Sequence, residues 1–454
     1  MGETVHFYYI NDLHSHFEHW NRIEQFINNR KLLHHEVNEE VIVTDIGDHV
    51  DRFHPYTEAS LGKGNIALLN ELGCQYATIG NNEGITFSHD ELNHLYDEAR
   101  FSVVVSNLYK ENGERPEWAV PYQIHTTKQG NKIAIIGATA FFQTFYELLN
   151  WKVTDPFEEI KKAVDEVKMQ CDVIVLLSHL GIDLDEQIAS QIPGIHIILG
   201  AHTHHILHEG KLVDNTLLCG AGMAGRFVGH LEVTFNQDGS LFKTQTELHD
   251  MNKQDPIEGE SAFTAELYEK GKALLSKEVC QLEDALPADW FDESPLGQLL
   301  CDTLLEWCKA DCAFLNAGLL LDGLEKGSVT LYDLHRICPH PINPCIVELS
   351  GRELKEVIVQ SMDKEWPHLQ IKGFGFRGRI LGRMIYSNIS IRSQYEIYIN
   401  QEKLNLTKNY RLAIPDMFTF GFFFPSIKRA ENKTYYLPEF LRDLLKDRLS
   451  TFSG

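Results

Sequence analysis

Long apolar runs, a basic excess and a regular cysteine pattern are all missing from this 454-residue chain. No stretch reaches the roughly 18 apolar residues of a membrane-spanning helix, so no crossing segment is expected. The opening MGETVHFYYINDLHSH has no basic patch followed by an apolar run, so no secretory leader is expected. Lysine and arginine number 41 against 65 aspartates and glutamates, a formal net charge of −24. Such a surface repels a phosphate polymer and argues against broad DNA or RNA binding. Small phosphorylated molecules stay open as partners, because bound cations invert the field inside a local site. The nine cysteines are odd in number and irregularly spaced, which fits free thiols in a reducing cytoplasm better than a disulfide framework. The sequons at Asn388, Asn405 and Asn432 then carry no meaning.

What is present reads as globular. Hydrophobic residues make up 43% and charged residues 23%, and the length exceeds what one core usually serves, so two domains are expected. Up to about residue 235, short apolar runs alternate with longer amphipathic ones, the pattern of α/β layering. Strands are expected at 6–10, 41–44, 77–79, 101–105, 132–136, 172–177 and 195–199, with helices at 60–72, 88–99 and 156–170. Ser88 followed by Glu91 is a capping-box pattern. The polar LHDMNKQDPIEG segment reads as a linker, followed by a helix over 261–278. The boundaries drawn are 1–247 for a catalytic domain, 248–288 for linker and helix, and 289–454 for a second domain.

Five short segments carry the chemistry, and each follows the C-terminal end of an expected strand, where α/β folds collect their ligand sites. Asp12-Leu13-His14 offers a carboxylate and an imidazole two residues apart. Gly47-Asp48-His49-Val50-Asp51-Arg52 offers a close turn and, at Asp48, a carboxylate able to bridge two ions. Gly80-Asn81-Asn82-Glu83 offers an amide oxygen. Ser178-His179 and Gly200-Ala201-His202-Thr203-His204 complete the set. Each piece alone is commonplace. Together they form a nitrogen-and-oxygen donor set without thiolate, suited to Mn²⁺, Zn²⁺, Fe or Co. Two such ions can clamp a phosphoryl group and acidify a water between them.

These blocks resemble the calcineurin-like metallophosphoesterase domain, and the whole chain resembles the 5′-nucleotidase/2′,3′-cyclic phosphodiesterase family. The resemblance implies a four-layer α/β/β/α sandwich joined through a helical linker to an α+β substrate-binding domain. It implies one divalent ion held by Asp12, His14, His204 and the bridging Asp48, and a second held by Asp48, Asn81, His179 and His202. Ser106-Asn107 matches a further family block near the site. The implied activity is hydrolysis of nucleotides or related small phosphate esters by attack of a metal-bound hydroxide on phosphorus.

Two departures stand out. The family's third block reads Asn-His-Glu-Phe-Asp, whose His, supported by the Asp, stabilises the transition state or protonates the leaving group. This chain reads Asn81-Asn82-Glu83-Gly84-Ile85, so both members of that dyad are absent. Asn82 can donate a hydrogen bond to a phosphoryl oxygen but cannot transfer a proton. The nearby histidines His16, His19, His49, His54, His89 and His205 are candidates for a substitute acid, His89 being as readily an exposed helix residue. In the second domain, Asn316-Ala317-Gly318 resembles Asn-x-Gly-x-x-Arg, but Leu321 stands at the arginine's place. Arg336, Arg377, Arg379 and Arg383 are candidate replacements. The family stacks the nucleobase between aromatic rings; Phe374 and Phe376, and Phe418, Phe420, Phe422, Phe423 and Phe424, offer rings here, with Phe376 and Phe420 the expected pair.

Two decoys are set aside. Gly220-Ala-Gly-Met-Ala-Gly225 fits a dinucleotide fingerprint but precedes a strand-like 227–235 instead of a helix. It reads as a close backbone approach beside the metal site. Cys301, Cys308 and Cys312 fall on one helix face and read as core. Two other functions remain open: a cyclic-nucleotide phosphodiesterase or nucleotide-sugar pyrophosphohydrolase, and a regulatory binding protein on a degenerate enzyme scaffold.

Overall fold

The computed structural model describes residues 2–421 and 423–453. Phe422 lies outside the described residues. The chain divides into two compact units, Met1–Gly271 and Lys272–Gly454.

The first unit is built on two sheets. Strands β1 (Thr4–Ile10), β2 (Glu40–Asp45), β3 (Tyr76–Ala77), β4 (Ser102–Val104) and β5 (Ala119–Val120) run parallel side by side. A second, six-stranded sheet contains β6 (Tyr122–Thr126), β7 (Lys132–Ala138), β8 (Val173–Ser178), β9 (Ile197–Gly200), β10 (Lys211–Val213) and β11 (Thr216–Cys219) in the order β10-β11-β9-β8-β7-β6. The chain then returns to the first sheet, where β12 (Phe227–Phe235) pairs antiparallel with β1, and β13 (Leu241–Asp250) forms the edge.

The period of two along β1 explains the layering. Val5, Phe7 and Tyr9 face the other sheet, where they meet Ile133, Ile135, Val175 and Leu177. Tyr8 and Ile10 point outward, under helices α1 (Trp20–Glu36) and α2 (Lys63–Leu72). On the far side, Ile174 and Leu176 pack beneath α3 (Pro156–Val167) and α4 (Ile182–Gln191). The sandwich is therefore helix, sheet, sheet, helix, as expected. Strands such as Val173–Ser178 are buried on both faces, which is why they read as unbroken apolar runs.

Two expected helices came out differently. The 60–72 stretch is broken, because Leu61 (φ 50°) and Gly62 (φ 77°) take left-handed conformations between Pro55–Ser60 and α2. The Ser88–Glu91 capping box does form, yet the helix it starts spans only His89–Asn93. The joining helix, Glu260–Leu274, is pinned to the first unit by Arg22, whose Nε donates to Glu260 at 2.7 Å.

In the second unit a five-stranded sheet of Met384–Ser387, Cys312–Asn316, Asn409–Pro415, Pro344–Ser350 and Lys433–Tyr435 packs with the helix Pro295–Cys308. Cys301, Cys308 and Cys312 lie in that core, and all nine cysteines are free. Asp416, just beyond the central strand, is fully enclosed. Burial lifts its carboxyl to about 8 despite backbone N–H contacts from Asn343 and Met417. Above about pH 4 the unfolded carboxyl ionises while the folded one stays protonated, so the unfolded state gains about 1.4 kcal/mol per pH unit until pH approaches 8. Asp416→Asn removes that penalty. Its melting temperature is expected to exceed the wild type's by a margin that grows from pH 5 to pH 8. A constant margin over that range contradicts the assignment.

Candidate dimetal active site

The strand ends converge as their order along the chain requires. Asp12 and His14 follow β1, Asp48 follows β2, Asn81 follows β3, His179 follows β8, and His202 and His204 follow β9. Five of these seven hold left-handed backbone conformations: Asp12 (φ 49°), His14 (49°), Asp48 (50°), His202 (72°) and His204 (53°). Non-glycine residues enter this region rarely and at a cost of about 1–3 kcal/mol, so such a concentration marks a functional site.

Two clusters result. Donor atoms of Asp12, His14 and His204 lie within 4.8 Å of one another, as do those of Asp48, His179 and His202. Asp48 Oδ2 stands between the clusters, 3.6 Å from His14 Nε2 and 3.4 Å from His179 Nε2. Asp12 Oδ1 is comparably central, 3.5 Å from His204 Nε2 and 3.9 Å from His179 Nε2. His14 Nε2 and His204 Nε2 face each other at 3.2 Å.

The donors fit divalent cations. His179 donates Nδ1–H to the Ile46 carbonyl at 2.7 Å, which leaves the lone pair on Nε2, a buried atom with no hydrogen-bond partner. Asn81 Oδ1 is likewise buried and unpartnered. Burial opposes charge on His179, but the Asp48 and Asp12 carboxylates outweigh it and raise its pKa to about 10; without an ion Nε2 holds a proton in this negative field, and a cation would take that proton's place. Burial works equally against Asp48, which His179 and His14 nevertheless hold well below the usual carboxylate range. His202 is drawn down to about 4, first by burial and then by His179. It is thus neutral, the form that ligates.

Supporting residues whose roles were not legible in the sequence hold these donors. The buried Glu83 carboxylate accepts backbone N–H groups from Asp48 (3.0 Å), Val50 (2.9 Å) and Gly80 (2.8 Å), tying the second and third blocks together. Burial, then the neighbouring Asp48, lifts Glu83 to about 7. Asp51 stands 3.2 Å from His14 Nδ1. Asn11 donates to Asp12 Oδ2 at 2.7 Å and to the Gly222 carbonyl at 2.7 Å, so the glycine-rich turn before β12 does approach the site through its backbone.

Gly80 shows how tight the arrangement is. A Cβ there would lie 2.1 Å from Asp48 Oδ1, and its backbone is otherwise compatible with alanine. Gly80→Ala is therefore expected to displace Asp48 and lower turnover roughly 100-fold, with metal content falling in step. Unchanged turnover on an aryl phosphate would contradict this geometry.

The remaining sequence candidates are placed as follows. Asn82 is buried, its amide 2.8 Å from His14 Nδ1 and 3.4 Å from Asp51. His49 is enclosed and burial draws it down to about 3. His89 is half-buried and stacks on Trp151 at 4.3 Å. His54 caps the helix Pro55–Ser60, His205 contacts Thr203, and His16 lies beside Glu18. His19 is half-buried. Asn107 exchanges two hydrogen bonds with the Thr139 backbone, each 2.9 Å, beside a buried Ser106. In the second unit, Asn316 is fully buried with Nδ2 on the Leu381 carbonyl and Oδ1 unpartnered. Phe376 belongs to the core and stacks on His340 at 5.1 Å. Phe420 is half-buried beside Tyr435, and Phe374 is 41% exposed. Leu321 is half-buried. Arg336 pairs with Asp322 and Arg383 with Glu293; Arg377 donates its backbone N–H to His340, and Arg379 is exposed.

A four-layer sandwich that gathers two imidazole-and-carboxylate clusters at one strand edge has the architecture of a binuclear metallohydrolase. Comparison with known proteins agrees. The calcineurin-like phosphoesterase family matches residues 5–205, and the 5′-nucleotidase C-terminal domain matches residues 278–422. An uncharacterized metallophosphoesterase of Bacillus subtilis, YunD, is 45% identical over 99% of this chain and 100% of its own length. A snake venom 5′-nucleotidase of Gloydius brevicauda is 22% identical over 85% of this chain and 73% of its own. Among solved structures, a putative 5′-nucleotidase from Staphylococcus aureus shares the fold with a TM-score of 0.71 at 17% identity, over 99% of this chain and 97% of that one. The chain belongs to the calcineurin-like metallophosphoesterases that carry a 5′-nucleotidase C-terminal domain, and it is a metal-dependent phosphoester hydrolase.

Proposed function

We propose that this enzyme hydrolyses nucleotides or related small phosphate esters at a pair of Mn²⁺ or Zn²⁺ ions, Fe or Co suiting the same donors. Asp12, His14 and His204 would hold one ion, Asn81, His179 and His202 the other, with Asp48 placed to serve both. The observation that carries this reading is Asp48 Oδ2, which faces an imidazole of each cluster at 3.6 and 3.4 Å. When bound, such ions acidify a water and neutralise phosphoryl oxygens. The chain's own groups orient the donors: Asp51 accepts Nδ1–H of His14, the Ile46 carbonyl holds Nδ1–H of His179, and Glu83 fixes the turn carrying Asp48.

A nucleotide substrate is supported by the second domain and by the 5′-nucleotidases among the relatives. We assign Phe420 to substrate binding, with Phe374 as the second ring, since Phe376 is taken up by the core; Asn316, equally enclosed, would support the site by bracing the Leu381 carbonyl. A second reading, a pyrophosphohydrolase or phosphodiesterase, is favoured by Asn82, which supplies no proton to a basic leaving group. A cytoplasmic setting is supported by nine free cysteines; among the described residues no helix is long and apolar enough to cross a membrane. The test is a panel of phosphorylated metabolites, with and without Mn²⁺, alongside elemental analysis. Metal-dependent turnover of nucleotides supports the proposal. Bound metal without turnover of any phosphate favours a regulatory binding protein.

A further inference from the structure

A second concentration of histidines lies on the outer face of the first sheet, beneath α1, where the dimetal site plays no part. His6 (β1), His34 (α1), His230 (β12) and His249 (β13) gather there with Glu39 and Glu247. The register explains the gathering. His230 pairs directly with Glu247 across the antiparallel β12–β13 ladder, and His249 lies two residues further along the same face. Tyr8 stacks flat on His230, with ring centroids 4.6 Å apart.

Counting hydrogens along this array exposes a deficit. Glu39 Oε2 contacts His6 Nε2 at 2.9 Å, His6 Nδ1 contacts His230 Nε2 at 3.0 Å, and His230 Nδ1 contacts Glu247 Oε1 at 3.2 Å. Each contact needs one hydrogen, but two neutral imidazoles bring only two. If His6 donates to Glu39 and His230 donates to His6, His230 Nδ1 turns a lone pair toward the Glu247 carboxylate. His249 Nε2, 3.3 Å from the same oxygen, is itself a buried atom with no hydrogen-bond partner. Two imidazole nitrogens and a carboxylate thus converge on one point where positive charge is missing.

We propose that His230, Glu247 and His249 form a further divalent-cation site of zinc-type chemistry. Two imidazoles and one carboxylate are borderline donors that suit Zn²⁺ and leave a position for water. The array behind them supplies the support such sites require: His230 donates its other N–H to His6, which donates in turn to Glu39. Burial lowers the proton affinity of His6, His230 and His249, which keeps the rings in the ligating form. Three carboxylates, Glu39, Glu232 and Glu247, stand around the array against the guanidinium of Arg30. A bound ion ties the edge strand β13 to β12 and, through His6 and Glu39, to β1 and the start of β2.

The experiment is zinc counting. Chelator-stripped full-length protein is dialysed against Zn²⁺ and its content measured for the wild type, His249→Ala and Glu247→Gln. Glu247 is a half-exposed surface carboxylate, so its amide variant preserves the fold even if His249→Ala does not. Each folded variant is expected to bind about one equivalent less than the wild type while keeping Mn²⁺-dependent aryl phosphatase activity. Because the readout is a difference, it does not depend on how the dimetal centre is filled. Equal zinc content in the wild type and Glu247→Gln overturns the proposal.

Discussion

Asp48→Asn is expected to lose roughly 1,000-fold in turnover of an aryl phosphate and to lose metal from both clusters. Asparagine keeps the shape, and its carbonyl can still accept the Asn82 backbone N–H that Asp48 Oδ1 accepts at 2.8 Å. The fold should therefore survive. What goes is the negative charge facing His14 and His179. Charge stabilisation by paired ions is worth several kcal/mol, and each 1.4 kcal/mol is about tenfold in rate. Kinetics with saturating Mn²⁺, read beside elemental analysis, check the result. Wild-type turnover together with full metal content would remove Asp48 from the shared position and with it the dimetal reading.

The choice of leaving group is expected to matter almost as much. General acid assistance contributes about 10²–10⁴-fold, chiefly when the departing oxygen is a basic alkoxide. At the block where the family resemblance implies an acid, Asn82 stands with its amide engaged by His14 and Asp51. His49, next to Asp48, is held by burial near a value of 3, so at neutral pH it is the uncharged imidazole and not the imidazolium acid that could protonate a leaving group. An aryl phosphate or a nucleoside diphosphate sugar is therefore expected to turn over about 100-fold or more faster than AMP. Steady-state rates under Mn²⁺ on the three substrates decide it. Faster hydrolysis of AMP would mean that another group supplies the proton.

The residues that gather at the sheet edge were legible in the sequence. Asp12, Asp48, Asn81, His179 and His202 each follow an apolar run, and a strand end carries its next residues to the sheet edge whatever the details of packing. Tyr76–Ala77 and Ser102–Val104 are shorter than the expected 77–79 and 101–105, yet Asn81 and Asn107 still follow their ends. Helix lengths were less legible. Ser88 and Glu91 signal a start, but nothing local announces that it stops at Asn93. Likewise, the broken 60–72 helix turns on Leu61 adopting a conformation that its residue type disfavours.

The amino-acid order alone thus determined which residue types follow each strand and the layered fold, because these depend on short-range periodicity and residue type. Only the tertiary structure decided that Glu83 binds the turn around Asp48, that Asn11 braces Asp12 against Gly222, that Phe376 is core, and that His230, Glu247 and His249 meet on one face. Those relations depend on cross-strand register and on partners as far apart as Asn11 and Gly222, which no local pattern encodes.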